Sequence, residues 1–392
     1  MVSASGSSGS KNIAIFSAQY LPHVGGIESF TNRLAHTLAG EGHSVYVITN
    51  DTNGIDGVEV DSGVTVIRLP CYPLIGGRFP LPKMSKKRGQ LLKLVDSICF
   101  DACLINARFY PHSLLGMKFA RRQGLTPIVL DHGSAYLTFG NQLLDLFVRA
   151  YEHAITRYGR RYGCAYYGIS EKSSEWLRTF GISSKGVIPN AIDAQGYCAS
   201  RSGRNFRKEL GLEETIPLAA YIGRLIPEKG ITTLVGAARA IESLGESVHF
   251  VVAGDGPLKR EVYQTCSNIH YVGRLDQPDV AELLCEADCL CLPSRSEGFA
   301  TCLLEASACG TPDITKDVGG AREVILDESY GIILEELSED SLLTSFLRLA
   351  SDRDGFLEMG KRCRQWVESH YSWNETAFAF ECACGLNSVS EV

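Results

Sequence analysis

The sequence predicts an α/β protein of two doubly wound domains in tandem, and three observations predict it. Short apolar runs of the buried-strand kind alternate with stretches of helical periodicity along nearly the whole chain. That alternation breaks near residue 187 and restarts with the same grammar. The 392 residues are too many for one ordinary core and fit two domains of roughly 150 to 200 residues. The predicted divisions are a polar leader (1–10), a first domain (11–186), a second domain (187–370) and a terminal segment (371–392) that packs back on the first domain.

The run Lys11-Asn-Ile-Ala-Ile-Phe-Ser17 reads as a buried strand, and Gly25-Gly26 opens a helix over 27–40. Strands follow at 43–49, 64–69, 102–106 and 126–131, with helical stretches at 91–98 and 112–122. A short strand at 166–170 leads into a helix. After Val187-Ile-Pro-Asn-Ala-Ile-Asp193 and the polar 200–207, the second series has strands at 218–223, 248–254, 269–273 and 288–293. Such alternation implies parallel sheets covered by helices. Ligands of these sheets bind beyond the carboxyl ends of the strands, so the expected site is a cleft between two facing domains. The last segment, to about residue 386, reads as an amphipathic helix.

The formal charge is -7, from 38 basic and 45 acidic residues, which gives no global attraction to nucleic acid. Any anion site must come from local Arg, Lys or helix ends. Of the 14 cysteines, Cys99, Cys103, Cys285, Cys289, Cys291, Cys302, Cys309, Cys382 and Cys384 sit among apolar residues. No C-x-x-C occurs, so the spacing supports neither zinc nor a redox dithiol and points to free thiols in a reducing cytosol. The leader lacks the apolar core of a signal peptide, and no run approaches 18 uncharged apolar residues. The expected location is cytoplasmic.

Five loops could carry chemistry. Glu297 and Glu305 stand eight residues apart around Gly298-Phe299-Ala300. A helix opening near Gly298 would put both on a similar face, where carboxylates accept from sugar hydroxyls; the alternative is one capping and one solvated glutamate. Arg224 and Lys229 share a strand-to-helix loop, where they either neutralise a pyrophosphate or form a solvated basic turn. Gly254, in Gly254-Asp-Gly-Pro257, either admits a ligand to the backbone or makes a tight strand-end turn. Gly25-Gly26 either offers helix N–H groups to phosphate or simply turns the chain. His132, in Asp131-His132-Gly133, either touches a substrate hydroxyl or is a satisfied structural histidine.

Taken in order, Gly25-Gly26-Ile-Glu28, Asp131-His132-Gly133, Val187-Ile-Pro-Asn190, Gly223-Arg224-Leu-Ile-Pro-Glu-Lys229-Gly230, Gly254-Asp-Gly-Pro257, Ser296-Glu297-Gly-Phe to Glu305 and Gly310-Thr-Pro312 resemble the motifs of the retaining GT-B glycosyltransferases of family 4. The resemblance spans about 12–371. It implies two Rossmann-like domains, the second holding a nucleotide-activated sugar and the first presenting the acceptor. By that resemblance Arg224 and Lys229 hold the diphosphate and stabilise its departure, Glu305 the ribose, and Glu297 with the amides after Gly298 the hexose. Arg274 and Leu275 face the nucleobase, Gly25-Gly26 closes over the phosphates, and His132 touches the sugar near its 6-position.

The implied enzyme is metal-independent and needs no cofactor, because fixed cations can stabilise the leaving diphosphate. The one D-x-D match, Asp352-Arg-Asp354, reads as a solvated turn between helices. The implied reaction moves a hexose, with a UDP-sugar favoured as donor, to a glycan acceptor, lipid-linked in bacterial surface polysaccharide or glycolipid synthesis. Lys83, Lys86, Lys87, Arg88 and Lys93 among apolar residues, with a second patch at Arg157-Tyr-Gly-Arg160-Arg161-Tyr162, either dock on anionic lipid at the inner face of the plasma membrane or form a solvated basic face. Alternatives are a soluble small-molecule or protein acceptor, a non-catalytic binding subunit of the same fold, and a nicotinamide oxidoreductase, which lacks its G-x-G-x-x-G. Two departures from the pattern stand out. Ala191 follows Asn190, and Asp313 and Thr315 follow Pro312, where a carboxylate could contact a donor hydroxyl or face solvent.

Overall fold

A computed structural model describes residues 9–23, 25–55, 57–137, 141–263 and 266–387; most of the predicted leader and residues 388–392 lie outside them. The chain divides into a first unit, Met1–Asn190 with Trp373–Val392, and a second, Ala191–Ser372. Both predicted boundaries move by a few residues for visible reasons. Val187 bridges Gly168 at the edge of the first sheet, and Ile188 N–H donates to Gly168 O at 3.0 Å, so the chain leaves only after Asn190. Tyr371 stays in the second unit, where its carbonyl accepts from Ile192 N–H at 2.8 Å and its hydroxyl donates to Glu323 O at 2.9 Å.

The first unit runs β1 (Asn12–Phe16), α1 (Gly26–Gly40), β2 (Ser44–Asp51), β3 (Gly57–Asp61), β4 (Val64–Leu74), β5 (Phe79–Pro82), α2 (Lys86–Asp96), β6 (Ala102–Asn106), α3 (Pro111–Arg122), β7 (Ile128–Asp131), α4 (Gln142–Gly159), β8 (Ala165–Gly168) and α5 (Glu171–Trp176). Its sheet has the order β3-β4-β2-β1-β6-β7-β8, with β5 paired to β4. The strands from β4 through β8 are parallel, and β3 and β5 add antiparallel edges. Ala14, Phe16, Ile48, Ile67, Cys103, Ile105 and Val129 share one core, while Ile13 and Ile15 are buried on the other face, as a sheet covered on both sides requires.

The second unit runs α6 (Ala194–Ala199), α7 (Phe206–Leu210), β9 (Leu218–Ile222), α8 (Ile231–Leu244), β10 (His249–Ala253), α9 (Lys259–Val262), β11 (Ile269–Gly273), α10 (Gln277–Glu286), β12 (Cys289–Leu292), α11 (Thr301–Cys309), β13 (Asp313–Lys316), α12 (Ala321–Val324), β14 (Gly331–Leu334), α13 (Glu339–Ser351) and α14 (Arg353–His370). Its strands pair in parallel in the order β11-β10-β9-β12-β13-β14. Side chains alternate between two cores: Ala219, Tyr221, Phe250, Val252, Cys289 and Cys291 on one face, Leu218, Ala220, Val251, Ala253 and Leu290 on the other. The final helix, α15 (Trp373–Cys384), belongs to the first unit. There Trp373 packs on Phe30 with ring centroids 5.7 Å apart, and Glu381 Oε1 lies 2.7 Å from His43 Nε2.

Candidate active site

β9 is the switch point of the second sheet, with β10 and β11 to one side and β12, β13 and β14 to the other. Open parallel sheets bind ligands outside the carboxyl ends of the strands at such a point. The loops leaving β9 and β12 carry Arg224, Lys229 and Glu297. They are bound together: Arg295 N–H donates to Glu228 O at 2.9 Å, and the hydroxyl of buried Tyr221 donates to Arg224 O at 3.0 Å. Gly230 has φ +68°, and a Cβ there would lie 1.9 Å from Pro293 O, so only glycine lets the two loops meet. Lys229 Nζ forms an ion pair with Glu297 Oε1, the side chains being 20% and 14% exposed. Two residues expected to hold different parts of a ligand therefore hold each other.

The remaining residues of this unit divide. Arg224 and Arg274 are exposed, and Leu275 is half-buried against the core beneath β11 and α10. Gly254 has φ +147° and a Cβ there would meet Gly223 O at 1.8 Å, so the tight strand-end turn accounts for this glycine. The helix expected to open near Gly298 starts only at Thr301, with Ala300 as its N-cap. Glu297 thus sits on the loop, and the two-turn spacing to Glu305 does not hold. Within that loop the Phe299 ring packs on Gly320, where a Cβ would come within 2.3 Å of it. The N-cap residue Ala300 has no side chain that could accept from the first N–H groups of α11.

Glu305 lies in the second turn of α11. Burial raises its carboxyl from 4.5 to about 7; the Tyr197 hydroxyl beside it offsets part of the rise without completing a well-formed hydrogen bond. Cys302, one turn earlier, is held well above the ordinary thiol range by burial, with Glu297 and then Glu305 adding to the effect. Both carboxylates therefore act on this one thiol. Asp313 neither meets a donor hydroxyl nor faces solvent: it is buried at the start of β13, and both its oxygens lack a hydrogen-bond partner among the described residues. Burial holds that carboxyl well above its ordinary range, with Ser307 nearby acting weakly the other way. Asp352 is the N-cap of α14, accepting from Gly355 N–H at 3.0 Å, so the D-x-D match is a helix start and not a turn.

In the first unit His132 follows β7. Burial lowers its pKa to about 3, so the ring is neutral. Its Nε2 lies 3.0 Å from Asn106 Oδ1, while Asn106 Nδ2 donates to Thr31 Oγ1 at 2.8 Å. That chain makes Nε2 the donor and leaves Nδ1 as the ring's acceptor. Phe30 packs edge-on against the ring at 5.2 Å. The preceding Asp131 belongs to a buried triad that sequence reading missed: Arg108 Nη2 donates to Glu152 Oε2 at 2.9 Å and Nη1 to Asp131 Oδ1 at 3.4 Å. Burial raises Asp131 to about 6 against the opposing pull of Arg108.

Two further features of the first unit bear on the expectations, and one of them is a correction. Gly25 caps α1, but the carboxylate of Glu28, three residues on, folds back over Gly25 and lies 3.5 Å from His23 Nδ1. A glutamate three residues after a cap lies beside the helix end that Gly25-Gly26 opens. In the basic segment, Lys83, Lys86, Lys87 and Lys93 are exposed, but Arg88 is buried and donates from Nη1 to Pro70 O at 3.1 Å. Sequence reading also missed the strongly exposed Leu143, Leu146 and Phe147 on α4, which are 72%, 63% and 72% exposed. No helix among the described residues is long and apolar enough to cross a membrane.

Known proteins place the chain in a family. The family profile described as Glycosyl transferases group 1 matches residues 203–373, and that described as Glycosyltransferase Family 4 matches residues 24–195. The chain is 23% identical over 382 residues to the GDP-mannose-dependent monoacylated alpha-(1-6)-phosphatidylinositol monomannoside mannosyltransferase of Corynebacterium glutamicum, covering 93% of this chain and 96% of that one. It is 25% identical over 404 residues to a human phosphatidylinositol N-acetylglucosaminyltransferase chain, covering 97% and 77%. Sucrose-phosphate synthase from Thermosynechococcus elongatus matches in structure with a TM-score of 0.73 at 21% identity, over 96% of this chain and 98% of that one. With one profile on each unit and a matching fold throughout, the chain belongs to the group 1 and family 4 glycosyltransferases, enzymes of GT-B fold.

Proposed function

We propose that the enzyme transfers a hexose from a nucleotide diphosphate to a hydroxyl of a lipid-linked glycan or glycolipid, with retention and without a metal, in glycolipid or surface polysaccharide assembly. The observation that carries this reading is the Lys229–Glu297 pair at the switch point of the second sheet. A donor diphosphate would draw Lys229 to its oxygens, with Arg224 beside it on the same loop. As the sugar-phosphate bond breaks, these fixed cations offset the charge growing on the leaving group. Glu297, released from Lys229, accepts from the hexose hydroxyls, and the first N–H groups of α11 donate to the same sugar's oxygens. Glu305 accepts from the ribose, and Arg274 and Leu275 border the base. His132 Nδ1 accepts from a sugar hydroxyl, and as a neutral ring it positions without donating a proton. Retention then follows from attack on the face that the diphosphate leaves, with a phosphate oxygen taking the acceptor's proton.

The lipid acceptor is supported by the printed names of relatives that act on phosphatidylinositol compounds. Exposed Leu143, Leu146 and Phe147, with Lys83, Lys86, Lys87 and Lys93, suit peripheral binding to an anionic membrane face. A UDP-hexose is the first donor to test. GDP-mannose is the second, because the bacterial relative named above depends on it. The test is a thermal-shift panel of nucleotide sugars, followed by nucleotide release in vesicles carrying phosphatidylinositol or polyprenyl-linked glycans. Donor-dependent release that needs the vesicle acceptor and disappears in Lys229→Ala supports the proposal. Equal release with soluble acceptors alone removes the lipid half, and unchanged turnover in Lys229→Ala removes the site.

A further inference from the structure

Three cysteines distant in sequence converge in the second unit. Cys198 lies in α6, Cys285 in the last turn of α10, and Cys309 ends α11, three helices that pack on one another. Their sulfurs all lie within 4.8 Å of each other, and Cys198 Sγ is 3.8 Å from Cys285 Sγ. Two thiolates bound tetrahedrally at about 2.3 Å to one zinc ion stand about 3.8 Å apart, whereas a disulfide needs about 2.05 Å. The Cys309 thiol also points to Ala281 O at 3.7 Å, a proton that metal binding would displace. All three residues are half-buried, and Cys285 and Cys309 line a cavity of about 570 Å³ that gives a cation access. The cavity wall includes Asp288 and Pro312, which directly precede β12 and β13. The cluster therefore sits at the edge of the sheet where strands begin, opposite the loops of the candidate active site.

We infer that Cys198, Cys285 and Cys309 form a binding site for a thiophilic divalent cation, zinc first, whose fourth position is filled from the cavity. A zinc ion with three thiolates carries one net negative charge, and Arg201 and Arg364 lie near enough to Cys198 to offset it. The ion would tie α6, α10 and α11 together. Cys309 lies one turn after Glu305 on α11, and Cys198 follows Tyr197, whose hydroxyl lies beside Glu305. A link from metal occupancy to donor affinity rests on the proposed function, but the binding of metal does not.

The test uses the full, reduced chain stripped with chelator and titrated with zinc against a chromophoric competitor, with no donor present. One zinc per chain, a higher melting temperature with zinc, and cobalt substitution showing thiolate charge-transfer bands are expected. Cys285→Ser should weaken binding by more than about tenfold, and Cys266→Ser, a half-buried thiol elsewhere in the same unit, should not. Should a serine variant not fold, alkylation of the native chain replaces it: zinc should protect Cys198, Cys285 and Cys309 and leave Cys266 reactive. Sub-stoichiometric zinc, cobalt spectra without thiolate bands, or no selective protection overturns the site. Ready conversion of Cys198 and Cys285 to a disulfide by peroxide, in a chain that takes no zinc, would identify a redox pair instead. Intact zinc binding with no donor effect would leave the site standing and remove only its link to Glu305.

Discussion

Replacing Glu305 with Gln removes a titrating carboxyl while keeping its shape and one acceptor oxygen. Burial raises that carboxyl from 4.5 to about 7 in the folded chain. A folded pKa above the unfolded one means that the native state holds the extra proton between these values. Stability is therefore lost as pH rises through about 4.5 to 7, and the full loss persists above that window. At about 1.4 kcal/mol per unit the shift corresponds to about 3 kcal/mol, and partial exposure of the side chain screens this to about 2 kcal/mol. Glu305→Gln should then stabilise the second unit at pH 8 by about 2 kcal/mol more than at pH 5. Urea unfolding at the two pH values measures this in a background where Trp176 and Trp373 are Phe, leaving Trp366 of α14 as the reporter. Comparison at matched pH cancels the other titrating groups. An effect of Glu305→Gln that is equal at pH 5 and pH 8, or more destabilising at pH 8, refutes the reasoning. The same carboxylate should make wild-type nucleotide-diphosphate affinity rise between pH 6 and pH 8, a trend that calorimetry should find missing in the Gln variant.

Three other outcomes are expected. Lys229→Ala removes a charge-assisted contact worth about 1.5–3 kcal/mol, so the donor dissociation constant should rise about 10- to 100-fold, measured by calorimetry. Arg108→Met leaves Asp131 and Glu152 buried without their cation and should cost about 3–5 kcal/mol in urea unfolding of the first unit. Phe147→Asp should weaken flotation with anionic vesicles by about tenfold if that ring enters the lipid face, since a buried Phe is worth about 1.5–3 kcal/mol; unchanged flotation would take α4 out of the membrane account.

The fold was legible wherever burial on both faces makes a strand uniformly apolar. β1, β9, β10 and β12 read directly for this reason, each framed by glycine or polar turns. β13 did not, because Asp313 and Thr315 break its run, and the strand exists through pairing with β12 and β14. β3 and β5 were missed because edge strands need little apolar content: Val58 and Val60 are exposed, and β5 is half proline. At the candidate site, the sequence could name residues but not their local geometry. Lys229 and Glu297 were both named, yet nothing 68 residues apart in sequence says that they pair. α11 starts only at Thr301, and the loop before it carries Phe299 against Gly320, a contact made by folding alone. The spacing of Glu28 from Gly25 could have shown the carboxylate at the start of α1, since glutamate three residues after a cap commonly turns back. The cysteine trio had no local signature, because its three members come from three helices.

Asp313 gives the second unit a history as well as a chemistry. A carboxyl buried inside a strand, with no hydrogen-bond partner for either oxygen among the described residues, is a cost that the rest of the fold absorbs. Aspartate codons lie a single base change from those of valine, which suits a buried strand far better. The fold thus keeps a reserve of stability one mutational step away, available to offset the losses that new substrate specificities bring to the loops above it.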